Sequence, residues 1–117
     1  MAGTVTTTEE RIGPIEEIIF VWTSSAAGAA DATTTYSYNG EVMEAQIVPG
    51  ATTPTDLYDV VLTDNNNIDM LYGQGANVSN ASTVVVKGAA LVSNSKITLG
   101  ISNAGSAKDG TVIVHVR

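Results

Sequence analysis

The chain contains no cysteine. That excludes a disulfide framework, a thiolate metal site and a thiol nucleophile. It has a single histidine, His115, close to its end, so proton transfer near neutral pH has one imidazole to work with. Charged residues are scarce at 15 %, while hydrophobic residues reach 44 %, a balance that favours a packed core over a disordered chain. Cations are scarcest: Lys and Arg number 5 against 12 Asp and Glu, a formal charge of −7. Five scattered cations cannot track a phosphate backbone, so no nucleic-acid partner is expected. An acidic surface is also repelled by anionic lipid, so no membrane partner is expected. Aromatic residues make up only 5 %, little stacking surface for a sugar cleft. The longest apolar run, Ile18 to Trp22, is far too short to cross a bilayer. Residues 1–10, MAGTVTTTEE, lack a cationic start and an apolar stretch, so no secretory signal is expected and synthesis in a cytoplasm is. A length of 117 residues fits one domain.

What is abundant is Thr and Val, in short β-branched runs with no sustained helical period. Turn signals recur about every 8–12 residues, the rhythm of an all-β sandwich or barrel. Strands are predicted at Thr4–Glu10, Ile15–Thr23, Thr33–Tyr38, Val42–Val48, Leu57–Thr63, Ile68–Tyr72, Thr83–Lys87, Lys96–Ser102 and Thr111–Arg117. Asn39-Gly40 reads as a hairpin turn, because both residues tolerate positive φ. Gly13-Pro14 breaks the first pair of strands, and Ser24 to Ala32 reads as a small, flexible stretch without helix caps. The whole chain is expected to form a single antiparallel β-sandwich, jelly-roll-like, with residues 1–10 as an extended assembly arm.

Parity suggests two hairpins. An Asn65-Asn66-Asn67 loop would set Leu62 opposite Met70 and Val60 opposite Tyr72. A loop around Gly105–Lys108 would set Ile101 opposite Val112 and Leu99 opposite Val114. Several strands do not alternate: Ile18 to Trp22, Val60-Val61-Leu62, Val84-Val85-Val86 and Val112-Ile113-Val114 are apolar on both faces. A sandwich strand should show a polar outer face. Exposed apolar faces mark interfaces, so Ile19, Val21, Val61, Val85 and Ile113 are candidate interface residues. The N-terminal Thr4, Val5 and Thr6 join them, because a Thr-rich strand with few core anchors gains most from pairing with a neighbour.

The candidate chemistry is weak. Asp64-Asn65-Asn66-Asn67-Ile68-Asp69 departs from a calcium loop at its fifth position and lacks the glycine and the closing glutamate, so a turn is expected. Gly73-Gln74-Gly75 has no third glycine and no following lysine. Gly100 to Gly105 has the wrong spacing for a nucleophile elbow. His115 reads as a partly exposed residue on the outer face of the last strand, which leaves a Ser-His-Asp site without support. Glu9, Glu10, Glu16 and Glu17 bracket a tight turn rather than a groove, with Arg11 placed to pair with Glu16. Tyr36 and Tyr38 share a strand face, either in the core or as a contact platform. No catalytic residue, metal ligand, cofactor or small-molecule substrate is expected.

The segments ERIGPIEEIIFVWTSSAAG, PTDLYDVVLTDNNNIDMLYGQGAN and KITLGISNAGSAKDGTVIVHVR occur in this order. Together they resemble a group of small structural proteins of tailed bacteriophages, encoded among head and tail genes. The resemblance lies in the phrase PTDLYDVVLTD, a Gly-rich segment, and an ending of the form xLTLxxSNAGxAKxGTVxxxxR. Here that ending runs from Ile97-Thr98-Leu99 through Ser102-Asn103-Ala104-Gly105, Ala107-Lys108 and Gly110-Thr111-Val112 to Arg117. It implies a virion protein, foremost a capsid decoration or cement protein on the capsid surface. Its partners would be the major capsid protein and copies of itself. The alternatives are another phage part, such as a head–tail adaptor, tail or fibre-base protein, or a carbohydrate-binding β-sandwich.

Overall fold

The computed structural model describes residues 3–11 and 13–117. Residues 1 and 2 of the expected N-terminal arm lie outside the described residues. Eight strands follow one another: β1 (Thr4–Glu10), β2 (Glu16–Thr23), β3 (Ala30–Thr33), β4 (Tyr38–Pro49), β5 (Asp59–Thr63), β6 (Val84–Ser95), β7 (Thr98–Ser102) and β8 (Asp109–Val116). They form two antiparallel sheets, one of five strands in the order β1-β2-β8-β4-β6 and one of three in the order β3-β7-β5. The expected all-β sandwich is therefore present.

The alternation of side chains explains the packing. Ile18, Phe20 and Trp22 of β2 are buried with Val112, Val114 and Val116 of β8 and Ala45 and Ile47 of β4. From the smaller sheet, Val60 and Leu62 of β5 and Leu99 and Ile101 of β7 join the same core cluster. Each buried aliphatic side chain contributes about 1.5–3 kcal/mol relative to exposure. At the centre, the Trp22 and Tyr58 rings meet at 5.8 Å and a tilt of 49°. Burial pushes the Tyr58 hydroxyl up to about 12.

The connections differ from the expected hairpins. Only β1 and β2 are consecutive strands that pair, and from β2 onward each strand lies in the sheet opposite its predecessor. Pairing is nested instead: β2 with β8, β3 with β7, β4 with β6. The innermost turn joins β5 to residues 69–78, through bridges Thr63↔Asp69 and Tyr58↔Val78 and a bond from the Val60 N–H to the Gly75 carbonyl at 2.7 Å. The inward faces of Leu99, Ile101, Val112 and Val114 are as expected. Their pairing is not, because β7 and β8 lie in different sheets and face each other across the core.

Four local expectations are corrected. Ile68–Tyr72 forms turns: the Met70 N–H does bond the Leu62 carbonyl, but Tyr72 swings out to 62 % exposure with φ of 52°. Asn39-Gly40 is not a hairpin turn but lies inside β4 at a bulge, with Gly40 at φ 125°. A side chain at Gly40 would strike the Arg117 carbonyl, so glycine serves close backbone approach here rather than a turn. The strand expected at Thr33–Tyr38 gives way to a bend, and β3 precedes it, because Glu9 holds this segment by accepting the Thr35 and Tyr36 N–H groups and the Tyr38 hydroxyl. β6 extends to Ser95, well beyond Lys87, since it pairs with β4 from Ile47↔Val84 to Tyr38↔Ser95.

Gly110 sits opposite Trp22 in the β2–β8 ladder. A methyl there would approach the indole ring to 2.6 Å. The ring is fully buried and cannot retreat. Gly110→Ala is expected to destabilise the protein by about 1–3 kcal/mol through overpacking, measured as a lower denaturant midpoint at unchanged slope.

Candidate interaction surface

The outer face of the five-stranded sheet is assembled by register. One cross-strand row runs Thr8, Ile19, Ile113, Gln46, Val85 from β1 to β6. The next row runs Thr6, Val21, Thr111, Val48. Val21 and Val85 are 49 % and 48 % exposed, and Ile19 and Ile113 are half-buried between them. These are the residues that read as apolar on the wrong side of their strands. The fold brings four of them, Ile19, Val21, Val85 and Ile113, onto one face, with Thr4 and Thr6 at its β1 border. Val61 is also exposed, at 41 %, but lies on β5 in the other sheet. Val5 points inward and packs against the core, so it belongs to the fold rather than to this surface.

A polar row closes one end of the face: Glu10, Glu17, His115, Glu44, Lys87. His115 Nε2 lies 2.9 Å from Glu17 Oε2, and Nδ1 lies 3.3 Å from Glu44 Oε2. Both ring nitrogens can donate at once only in the imidazolium form. The Glu17 hydrogen bond, reinforced by Glu44 and opposed by partial burial, raises the His115 pKa from its ordinary 6.5. Glu44 is held below its ordinary 4.5, chiefly by the Gln46 amide at 3.1 Å and then by His115. Beside this row, a shallow cavity of about 420 Å³ is lined by Ile15, Met43, Glu44, Lys87 and His115. Met43 lines it because β4 bulges between Val42 and Glu44, where the register to both β6 and β8 shifts.

Sequence parity put His115 on an outer face, and it is there. It did not find Glu17, Glu44 and Lys87 as neighbours, because each comes from a strand distant in sequence. The carboxylates of the calcium-like run are committed to backbone. Asp64 accepts the Asn66 and Ile68 N–H groups, and Asp69 accepts those of Leu71 and Gly73. Arg11 pairs with Glu16 at 3.1 Å, as its spacing suggested, and also lies 4.5 Å above the Tyr36 ring. Tyr36 and Tyr38 part company: Tyr36 is 47 % exposed and Tyr38 is buried. Burial, and then the Glu9 carboxylate, pushes the Tyr38 hydroxyl well above its usual range. Compared with known families, curated proteins and solved structures, the chain matches none.

The polar row makes a signed pH prediction. The His115 contribution is complete below its unfolded value of 6.5 and fades as pH rises through the higher folded value. The Glu44 contribution is complete above 4.5 and fades as pH falls. His115→Gln should therefore lower the melting temperature most between 4.5 and 6.5, and progressively less in alkaline buffer. Thermal melts across pH check the pattern, and NMR titration of the wild-type ring should give a pKa above 6.5.

Proposed function

We propose that this is a virion structural protein of a tailed phage, foremost a capsid decoration protein that seats on the shell of the major capsid protein and steadies it. The observation that carries the reading is the outer face just described: two cross-strand rows made of Thr, Val and Ile except for Gln46, on a sheet that should turn polar residues to water. Such a face binds by buried area and needs no reactive group. Repetition over a shell makes modest single contacts sufficient. The sequence resemblance supplies the phage context. We also read the nested strand pairing as a jelly roll, with residues 69–78 standing where a fourth strand would complete the smaller sheet. A sugar-binding role has less support, because Trp22 and Phe20 are buried.

Val21→Lys and Val85→Lys test the reading. Both positions are about half exposed in the free protein, so folding should survive. Trapping an unpaired ammonium against a partner costs several kcal/mol, enough to weaken attachment about a hundredfold or more. Val61→Lys, on the other sheet, is the control. Quantitative binding to shells lacking the protein should separate the two classes. Equal binding by all three variants would refute this face as the attachment surface.

A further inference from the structure

The five-stranded sheet has two open edges, β1 and β6. Their outward backbone groups offer a ladder to any extended strand that fits. The two edges are not equivalent. β6 carries Lys87 and Gly88, and its pairing with β4 is interrupted by two register shifts. Lysine and bulges are the usual means of blunting an edge. β1 has neither. Its seven residues, Thr4–Glu10, pair with β2 in unbroken register from Thr4↔Thr23 to Glu10↔Glu17. It has no Pro, Gly or Lys. Among the described residues, its backbone makes no hydrogen bond outside its ladder with β2. In the smaller sheet, β3 has only four residues and β5 is flanked by the bridges and bond to residues 69–78.

We infer that β1 is a homodimer seam, at which Thr4–Glu10 pairs antiparallel with β1 of a second copy about a twofold axis through Thr7. This rests on the expectation, implied by the sequence resemblance, that copies of the chain partner one another, and not on shell attachment. A strand that meets itself antiparallel forms a closed, self-complementary interface. Electrostatics selects this direction. The acidic end of β1, Glu9 and Glu10, lies beside Glu16 and Glu17. Parallel pairing would set Glu10 against the partner's Glu10. Antiparallel pairing moves the two acidic ends about 20 Å apart, six residue steps of strand. A centre at Thr7 also uses the whole strand, with Thr4 facing the partner's Glu10 and Thr6 facing the partner's Thr8. Threonine pairs can hydrogen-bond across a ladder, and one does so inside this protein, Thr33 to Thr98 at 2.9 Å. The product is one continuous sheet built from both five-stranded sheets. The apolar face of each copy stays uncovered, so dimerisation and attachment use different surfaces.

The absence of cysteine makes the test clean. On oxidation, Thr7→Cys should form a disulfide-linked dimer. Thr6→Cys mixed with Thr8→Cys should give a cross-linked heterodimer, and Val85→Cys on the β6 edge should stay monomeric on denaturing gels. Sedimentation of the wild-type protein should show a dimer. The double variant Thr6→Lys/Thr8→Lys sets like charges opposite each other twice and should weaken it about tenfold. Circular dichroism checks that this variant keeps its sheets. A wild-type protein monomeric at all concentrations overturns the proposal, as does cross-linking through Val85→Cys without Thr7→Cys, or a lysine double variant that dimerises normally. No particle enters this experiment, so its failure is separate from failure of shell attachment.

Discussion

Unbroken antiparallel pairing from Glu16↔Val116 to Thr23↔Asp109 joins the second strand of the chain to the last. This ladder lies inside the five-stranded sheet, with β1 added on one side and β4 on the other. Its inward residues, Ile18, Phe20, Trp22, Val112, Val114 and Val116, are all fully buried. Its fit depends on one small residue, Gly110, which leaves room for the Trp22 ring. Because its halves lie at opposite ends of the chain, the whole intervening sequence must be gathered before the ladder closes. Such non-local pairing is intrinsically slow to form.

The same ladder creates the surface on its other side. Ile19 and Ile113 meet across it, and Val21 meets Thr111. A free monomer would gain from polar residues here, so a face of this kind points to a partner. Charged groups are gathered instead into a row at its end, where His115 bonds both Glu17 and Glu44, and Lys87 stands opposite Glu44 in the ladder. A partner seated on the apolar rows need not desolvate those charges. That division into a dry patch and a self-paired polar margin resembles the core and rim of binding interfaces.

Much of this was legible in sequence, and the limits are physical. Period-two parity gave the inward faces of β7 and β8 correctly, because burial of one face is a local property of each strand. The apolar outward residues Ile19, Val21, Val85 and Ile113 stood out for the same reason. Pairing was not legible. Ile97 to Ile101 and Val112 to Val116 satisfied the parity of a hairpin, yet parity is equally satisfied by two strands facing each other across a core. Asn39-Gly40 misled because glycine has two uses, and the close approach of the Arg117 backbone is invisible in local sequence. Residues 68–72 read as a strand, but Asp69 accepts the Leu71 and Gly73 N–H groups and rolls the segment into turns. The row around His115 was out of reach, since five strands contribute to it.

We propose the outer face of the larger sheet as the surface that meets a capsid shell. A reconstruction of the particle at a resolution that separates strands tests it most directly. The sandwich is expected to lie with β2, β8 and β4 against the capsid subunits, Val21 and Ile113 at the contact, and the smaller sheet toward solvent. Density placing the smaller sheet or its loops on the shell, or no density for this fold on the head, would contradict it.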